Sequence, residues 1–383
     1  MTDFIRTMAP YSVDNDVILT TLAELENAGV FVTECKEASR LAKVLVGKDA
    51  ERSIENKVRF AKCLRDRAPE SIEDLIERSS RVTASSSSAG LKDRFLFSIN
   101  QLFSIVGWNV GSAPLEQFLR HQFENDGPSH TFVSFNYDLI LDRTIQMAKG
   151  SNWHPADGYG FRIPYFTTED PPVTNSAAGV LPRARAIQFD DPGGTYESAI
   201  QILKPHGSLN WLLPFEVPYR TGKHGLTLQP QPMVLPLELA GGLRYWSTSA
   251  NFNHIQCPGA HPHDYGIFII PPSSEKRSDL NFLEKIRTRE MEAILECENI
   301  FVIGYSLPVT DADQELLIRS IVERRSAGIT RLIVVNYHAA PDYFQRVAEV
   351  FAFPRQRLEV FNSGFTDFVN RFCTNDSTVA SEA

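Results

Sequence analysis

The sequence has few cysteines and no long apolar run. Its five cysteines, an odd number among 383 residues, are scattered and never spaced as CxxC. This favours free thiols in a reducing compartment over a disulfide scaffold. No apolar stretch approaches the ~20 residues of a membrane helix, and the amino terminus lacks the basic-then-apolar pattern of a signal peptide. We therefore expect a cytoplasmic protein without membrane contact.

The sequence also lacks an excess of positive charge. It carries 38 Lys and Arg against 47 Asp and Glu, for a formal net charge of −9 at pH 7. Because nucleic-acid binding requires a basic surface for the phosphates, direct nucleic-acid binding is not expected. With 43% hydrophobic and 22% charged residues, the chain has the composition of a globular protein with a large core.

The hydrophobic pattern changes at about residue 128. Residues 1–127 carry apolar residues at helical spacing, as in VILTTLAELENAG, and predict a mainly helical N-terminal region. Within it, the small polar residues of 80–90 indicate a loop. Residues 128–373 instead alternate short apolar runs with helical segments, which is typical of parallel strands covered on both faces. We predict an α/β fold with a Rossmann-like, mostly parallel sheet and a helical N-terminal region.

Two segments interrupt the predicted core and one follows it. Residues 151–198 and 215–263 are rich in turn-forming residues and predict irregular insertions. After them, the apolar runs GIFIIPP, NIFVIGYSLP and RLIVVNYH alternate with helices predicted at 279–297 and 311–325, as in a βαβαβ series of parallel strands. The last ten residues, 374–383, predict a disordered tail.

Short polar motifs directly follow several of the predicted strands. They are SFNYD (134–138), PHGS (205–208), IGYSLP (303–308) and VVNYH (334–338). Ligands of an open parallel sheet bind at the carboxyl ends of its strands, so four such ends together predict the rim of one pocket. Gly304 and Ser306 fit either a turn or a close approach of the backbone to a phosphate or ribose.

Each polar residue also has a purely structural interpretation. Asn136 and Asp138 could cap the helix that follows them. His206 could be a buried histidine bonded to a carbonyl. Asp311 and Asp313 open a predicted helix, and we interpret them as N-cap residues.

Three of these motifs, in this order, resemble the SIR2-like proteins: NYD at 136–138, KPHGSLNW at 204–211 and IGYSLPVTDAD at 303–313. PPSSEK at 271–276 also resembles the family, and the similarity covers roughly residues 128–340. SIR2-like proteins of this kind are prokaryotic, zinc-free relatives of sirtuins, and many act in anti-phage defence. The resemblance implies an enzyme that hydrolyses NAD to nicotinamide and ADP-ribose and so depletes NAD during infection.

The resemblance implies catalytic roles for Asn136, Asp138 and His206. The neutral imidazole of His206 can act as a general base near pH 7. The amide of Asn136 can hold the ribose and the attacking water, and Asp138 can orient the nicotinamide amide or stabilise the cationic centre. No zinc is expected, because the four-cysteine site of the deacetylating sirtuins has no counterpart here. The NAD-binding residues that the resemblance implies are Gly207, Ser208, Gly304, Tyr305, Ser306 and Asn336.

The sequence departs from the family in one respect. Residues 1–128 contain no Gly-Ala-Gly-x-Ser loop, with which SIR2-like proteins cradle the pyrophosphate of NAD. Three explanations are open: a true start upstream of Met1, a degenerate protein that acts as an interaction or sensor module, or a neighbouring subunit that completes the site. Because NAD hydrolysis must be held off until infection, we also expect a regulatory protein partner or a homo-oligomer that contacts the N-terminal helices.

A histidine-rich segment offers a third hypothesis. Within residues 254–263, His254, Cys257, His261 and His263 could serve as soft metal ligands. A loop rich in proline, glycine and histidine, without a metal, explains the same residues. A metal-dependent hydrolase is therefore the remaining alternative to the NAD hydrolase and the interaction module.

Overall fold

The computed structural model describes most of the predicted helical region and the strand-bearing core. The described residues are 4–46, 53–66, 72–85, 91, 95, 98–99, 102, 113–125, 129–149, 153, 155–160, 165–168, 174–175, 179–180, 184–187, 199–214, 233–234, 265–269, 281–308, 311–325 and 328–379.

The N-terminal region is helical. Its helices are α1 (Phe4–Tyr11), α2 (Asp16–Asn27), α3 (Lys36–Val46), α4 (Ile54–Arg65) and α5 (Ile72–Ser85). Helix α3 shows why they assemble: Ala38, Leu41, Ala42 and Leu45 are buried at the spacing of a single helix face. These faces meet in one apolar cluster, which we call the N-terminal cluster.

The loop predicted at 80–90 is wrong for its first six residues. Helix α5 continues through Ser85, and residues 86–90 lie outside the described residues. Val82 packs against the N-terminal cluster. Burial of this side chain outweighs the weak helix preference of the neighbouring serines and threonine, which is why composition alone misled.

The remaining elements belong to the α/β part of the molecule. They are α6 (Ala113–Asn125), β1 (His130–Val133), α7 (Ile140–Lys149), α8 (Pro155–Gly158), β2 (Tyr165–Thr168), β3 (Thr174–Asn175), β4 (Gly179–Val180), β5 (Ala184–Ile187), β6 (Ile200–Leu203), β7 (Gly207–Pro214), β8 (Met233–Val234), β9 (Tyr265–Ile269), α9 (Asn281–Glu296), β10 (Asn299–Ile303), α10 (Ala312–Val322), β11 (Arg331–Val335), α11 (Pro341–Val350), β12 (Glu359–Phe361) and α12 (Phe365–Val379).

Among the described strands, parallel pairing extends over several residues in two sets, and β2 and β8 add one parallel residue pair. Strand β1 pairs with β6, and β10, β11 and β12 form a second parallel set in that order. In β11, Leu332 and Val334 lie in one apolar cluster, whereas Ile333 and Val335 lie in another. A strand buried on both faces needs an uninterrupted apolar sequence. The α/β class predicted from these apolar runs is therefore what the described elements show.

One predicted pairing is wrong. The run that begins at residue 266 was expected to open the parallel series, but β9 pairs antiparallel with β7. These two strands belong to a mixed sheet of order β5-β2-β8-β7-β9, so the segment 151–198, predicted as irregular, contributes the short strands β2 and β5. Periodicity identifies a buried strand but carries no information about its partner.

Both ends of the predicted core also differ from expectation. Helix α6 falls within the predicted N-terminal region, yet Phe118 packs in the α/β core, with ring centroids 5.6 Å from Phe301 and 5.8 Å from Phe368. At the other end, α12 extends to Val379, so residues 374–379 are helical rather than a disordered tail, and 380–383 lie outside the described residues. Residues 365–379 contain no glycine or proline that would end a helix earlier.

The helical region and the core meet at the predicted site motifs. Tyr137, Leu209 and Ile269 of the α/β part belong to the N-terminal cluster. Tyr137 lies inside the NYD motif and Leu209 inside HGSLNW. The N-terminal helices therefore pack against two of the four predicted motifs. Among the helices in the described ranges, none is long and apolar enough to cross a membrane.

Candidate functional site

The ends of β1, β6 and β10 meet in one place. Phe135, two residues after β1, stacks on Tyr305, two residues after β10, with ring centroids 4.3 Å apart and an interplanar angle of 18°. The same Phe135 meets the ring of His206 edge-on at 5.5 Å. The structure thus brings together three of the four motifs that the sequence places at strand ends.

The fourth motif joins this group through Tyr343 of α11. The hydroxyl of Tyr343 donates a hydrogen bond to the backbone carbonyl of Tyr305. Burial raises the pKa of Tyr343, and a hydrogen bond from the Asn336 side chain opposes that rise. Tyr343 therefore connects the Asn336 side chain to the loop that follows β10.

His206 is buried and faces a carboxylate. It lies in a tight turn in which Gly207 N donates to Lys204 O at 3.0 Å, and only 5% of its surface is exposed. Its Nε2 lies 3.4 Å from Oδ1 of Asp311, which is itself 3% exposed. An imidazole beside a buried carboxylate can hold or move a proton, which a histidine facing a carbonyl does less readily.

The structure corrects our interpretation of Asp311 as a residue whose side chain caps a helix. It occupies the N-cap position of α10, but its side chain makes no capping hydrogen bond. Instead Oδ2 accepts a hydrogen bond of 3.1 Å from the Tyr305 hydroxyl, and Oδ1 is buried without a hydrogen-bond partner. Burial, followed by the nearby charge of Asp311, raises the pKa of Tyr305, so this phenol stays a donor. Asp313 is exposed in the first turn of α10, as expected for a residue that favours the helix N-terminus.

The three side chains of the NYD motif lie in different environments. Asn136 is exposed, Tyr137 is buried in the N-terminal cluster, and Oδ1 of Asp138 accepts a hydrogen bond of 3.0 Å from Ile140 N at the start of α7. Burial raises the pKa of Asp138, and the charge of Lys204 opposes that rise. The hydrogen bond to Ile140 agrees with the structural interpretation of Asp138 as a cap for the following helix.

Lys204 is a functional candidate that sequence reasoning missed. Its Nζ lies 2.8 Å from Oδ2 of Asp142, and neither side chain is exposed. The same ammonium donates to the carbonyl of Asp138 at 2.6 Å and to Oγ of Ser208 at 3.1 Å. The buried ammonium of Lys204 thus links the loop after β1 to the loop after β6. The only sequence signal was a lysine within an otherwise apolar strand end.

Two further buried groups complete this network. The hydroxyl of Tyr159 donates to Oδ1 of Asp142, and Nδ2 of Asn210 donates to the Tyr159 hydroxyl at 3.1 Å. Burial and the Asp142 charge raise the pKa of Tyr159 well above its usual value, so it remains neutral. Ser208 and Asn210 are both fully buried on β7, and each contacts a member of this network.

The two glycines predicted to bind NAD differ in their surroundings. Gly207 has φ +82°, and a Cβ there would overlap the carbonyl oxygen of Phe268, so this position is packed against β9. Gly304 has φ +65°, is exposed, and would place a Cβ in open space. Leu307 adds a left-handed residue at φ 50° to the same loop, and Ser306 between them is exposed. Gly304 and Ser306 are therefore accessible at this loop, although the Gly304 N–H already donates to the Val335 carbonyl at 2.9 Å and the Tyr305 carbonyl accepts from Tyr343.

Other features lie away from these motifs. A shallow cleft of about 450 Å³ is lined by α6 residues and Cys373, and it includes none of the motif residues. Within the described part of the chain, no group of three or more His, Cys, Asp or Glu side chains is arranged to hold a metal ion. PPSSEK and the histidine-rich segment 254–263 lie outside the described residues.

Comparison of the chain with models of known protein families and with curated proteins gave no match.

Proposed function

We propose that this chain is a SIR2-like NAD hydrolase built on a Rossmann-like core. It cleaves NAD to nicotinamide and ADP-ribose in the cytoplasm and acts in anti-phage defence by depleting NAD. The observation that supports the proposal most is the meeting of His206, Asp311, Tyr305 and Phe135 at the carboxyl ends of three strands. Substrates of open α/β sheets bind at this edge.

The residues at this edge suit cleavage of an N-glycosyl bond. Nicotinamide leaves as a neutral molecule, so the reaction needs no strong acid at the leaving group. It needs a base for the attacking water and a polar group that holds the ribose. His206 supplies the base, and the exposed amide of Asn136, next to Phe135 in the chain, supplies the polar group.

The same geometry narrows the set of residues proposed to bind NAD. Gly304, Tyr305 and Ser306 lie in the loop after β10, and Asn336 lies beside Tyr343, which contacts that loop; these four residues remain in the set. Gly207 packs against Phe268, and the Ser208 hydroxyl is fully buried against Lys204, so we assign both to architecture.

Asp138 leaves the proposed catalytic set for a similar reason. Its carboxylate caps α7, and its backbone carbonyl accepts from Lys204. Both contacts fix the loop that presents Asn136. In the proposed enzyme, Asp138 therefore acts on the geometry of this loop.

Nicotinamide release from NAD by the purified chain tests the proposal. Wild type is compared with His206→Ala and Asn136→Ala, and with His121→Gln on α6 as a control at a half-buried histidine outside the motifs. Because general-base catalysis contributes ~10²- to 10⁴-fold, we expect His206→Ala to lower the rate by about that factor. The measurement is repeated over a range of protein concentrations, since a homo-oligomer is expected.

The outcomes separate the three hypotheses. Release that both substitutions reduce and the control does not supports the hydrolase. Absence of release together with absence of NAD binding in calorimetry, at every protein concentration, rejects it and leaves the interaction module. Release that a chelator abolishes and His206→Ala does not affect favours the metal-dependent alternative.

A further inference from the structure

We infer that Asp311 positions His206 by holding the imidazole proton on Nε2, which leaves Nδ1 as the basic nitrogen of the site. Tyr305 fixes the Asp311 carboxylate in that orientation. The inference deepens the proposed function and rests on it for its catalytic consequence.

The placement of Asp311 requires an explanation because it costs stability. A carboxylate at an N-cap position normally accepts a helix N–H and stays near water. Asp311 makes no capping bond and is 3% exposed. A buried carboxylate is costly unless polar partners compensate for lost water. The Tyr305 hydroxyl compensates one oxygen, and the imidazole of His206 faces the other at 3.4 Å.

The orientation of the imidazole decides which nitrogen carries the proton. A neutral imidazole has one donor nitrogen and one acceptor nitrogen. A nitrogen that faces a carboxylate is stabilised as the donor, because two lone pairs would otherwise repel. Nε2 faces Asp311, so the neutral form of His206 has its proton on Nε2 and its lone pair on Nδ1. In the structure the two atoms do not meet hydrogen-bond geometry, since Oδ1 of Asp311 has no hydrogen-bond partner; hydrogen bonds of catalytic groups often form fully only when substrate binds.

The neighbouring side chains strengthen the electrostatic interaction between His206 and Asp311. Phe135 and Tyr137 place their rings against His206, which lowers the local polarity and strengthens charge interactions. On the other side, the charges of Glu290 from α9 and Glu315 from α10 act on Tyr305 together with that of Asp311. All three acidic side chains disfavour a tyrosinate, so Tyr305 donates to Asp311.

The proposed reaction is hydrolysis of the bond between nicotinamide and ribose. Nδ1 of His206 takes one proton from water while the water oxygen bonds to the ribose carbon. The bond from that carbon to nicotinamide breaks, and its electron pair stays on the nicotinamide ring nitrogen. The products are ADP-ribose, nicotinamide and one proton held on His206. The Asp311 carboxylate stabilises the resulting imidazolium before the proton passes to solvent.

Asp311→Asn tests the inference with two independent measurements. In nitrogen-15 NMR of histidine-labelled protein, with the His206 signals assigned through His206→Gln, we expect the Nε2–H form in wild type and its loss in Asp311→Asn. In the pH profile of nicotinamide release, we expect the acid limb of Asp311→Asn to move down by about one pH unit or more, because an opposite charge within ~4–6 Å favours the protonated form. The rate at the optimum falls at least about tenfold.

Two further variants keep the inference testable. Tyr305→Phe is expected to give a smaller shift of the same sign, and it serves if Asp311→Asn does not fold. Asp313→Asn, two residues along and exposed, is expected to leave both measurements unchanged. A wild-type His206 with its proton on Nδ1, or an acid limb that Asp311→Asn does not move, overturns the inference. A wild type that releases no nicotinamide refutes the proposed function alone, because the NMR measurement needs no turnover.

Discussion

Replacement of Lys204 by methionine removes a positive charge from a place that water does not reach. The ammonium lies 2.8 Å from Asp142 Oδ2, and both side chains are fully buried. Methionine keeps much of the length of the side chain and its apolar stem. The variant leaves Asp142 without that cation, and it deprives the Asp138 carbonyl and the Ser208 hydroxyl of their donor.

The expected loss of stability is large. Breaking a buried ion pair by removing one partner costs ~3–5 kcal/mol, because the remaining charge stays buried. A loss of that size corresponds to a fall in Tm of roughly 6–20 °C for a unit of 150–250 residues. Thermal unfolding of the full chain, followed by far-ultraviolet circular dichroism, measures it.

Two controls show whether burial is the cause. Arg81→Met breaks an exposed pair with Glu77, whose side chains are 74% and 43% exposed, and is expected to cost below ~1 kcal/mol. The double variant Lys204→Met/Asp142→Leu buries no lone charge and is expected to lose less than the sum of its single variants. A Lys204→Met protein that melts within the range of Arg81→Met refutes the reasoning.

Two further predictions concern glycine and buried acid. In urea unfolding, Gly207→Ala is expected to lower the free energy of unfolding by at least ~2 kcal/mol more than Gly304→Ala. Both glycines have positive φ, but only at position 207 would the added Cβ also collide with Phe268. Equal losses in the two variants would contradict this. Burial raises the pKa of Glu290 from 4.5 to about 7. The folded state therefore holds its proton more tightly, and the contribution of Glu290 to the unfolding free energy falls by about 3 kcal/mol as pH rises through 4.5–7. Glu290→Gln should remove that fall; a wild-type-to-variant difference equal at pH 4.5 and pH 8 argues against it.

The sequence alone predicted the local features of the site. Each strand end is marked by an apolar run followed at once by small or polar residues, and this pattern depends only on neighbours in the chain. It led to Asn136 after β1, His206 after β6 and Tyr305 after β10, whereas the role of Phe135 as the ring between His206 and Tyr305 emerged only from the structure. The carboxyl ends of β1 and β6 share one edge because these strands pair in parallel, whereas β10 belongs to a separate parallel set, and only tertiary packing brings its end to them.

Local patterns failed where a partner lies far away in the chain. Asp311 satisfies every local rule for an N-cap, and its inward direction depends on Tyr305 and His206 opposite it. The run at 266–270 is a strand by composition, yet its antiparallel pairing depends on the free edge of β7. The burial of Lys204 depends on partners elsewhere in the chain, above all Asp142 of α7.

The sequence by itself indicated the main helices and strands of the α/β part and where polar groups follow them, because propensity and hydrophobic periodicity act over a few residues; it missed the ends of α5 and α12 and the short strands within 151–198. Tertiary structure decided which charges are buried and what each of them faces. Desolvation makes a lone buried charge costly, so Lys204 and Asp311 are tolerated only where distant elements supply their partners.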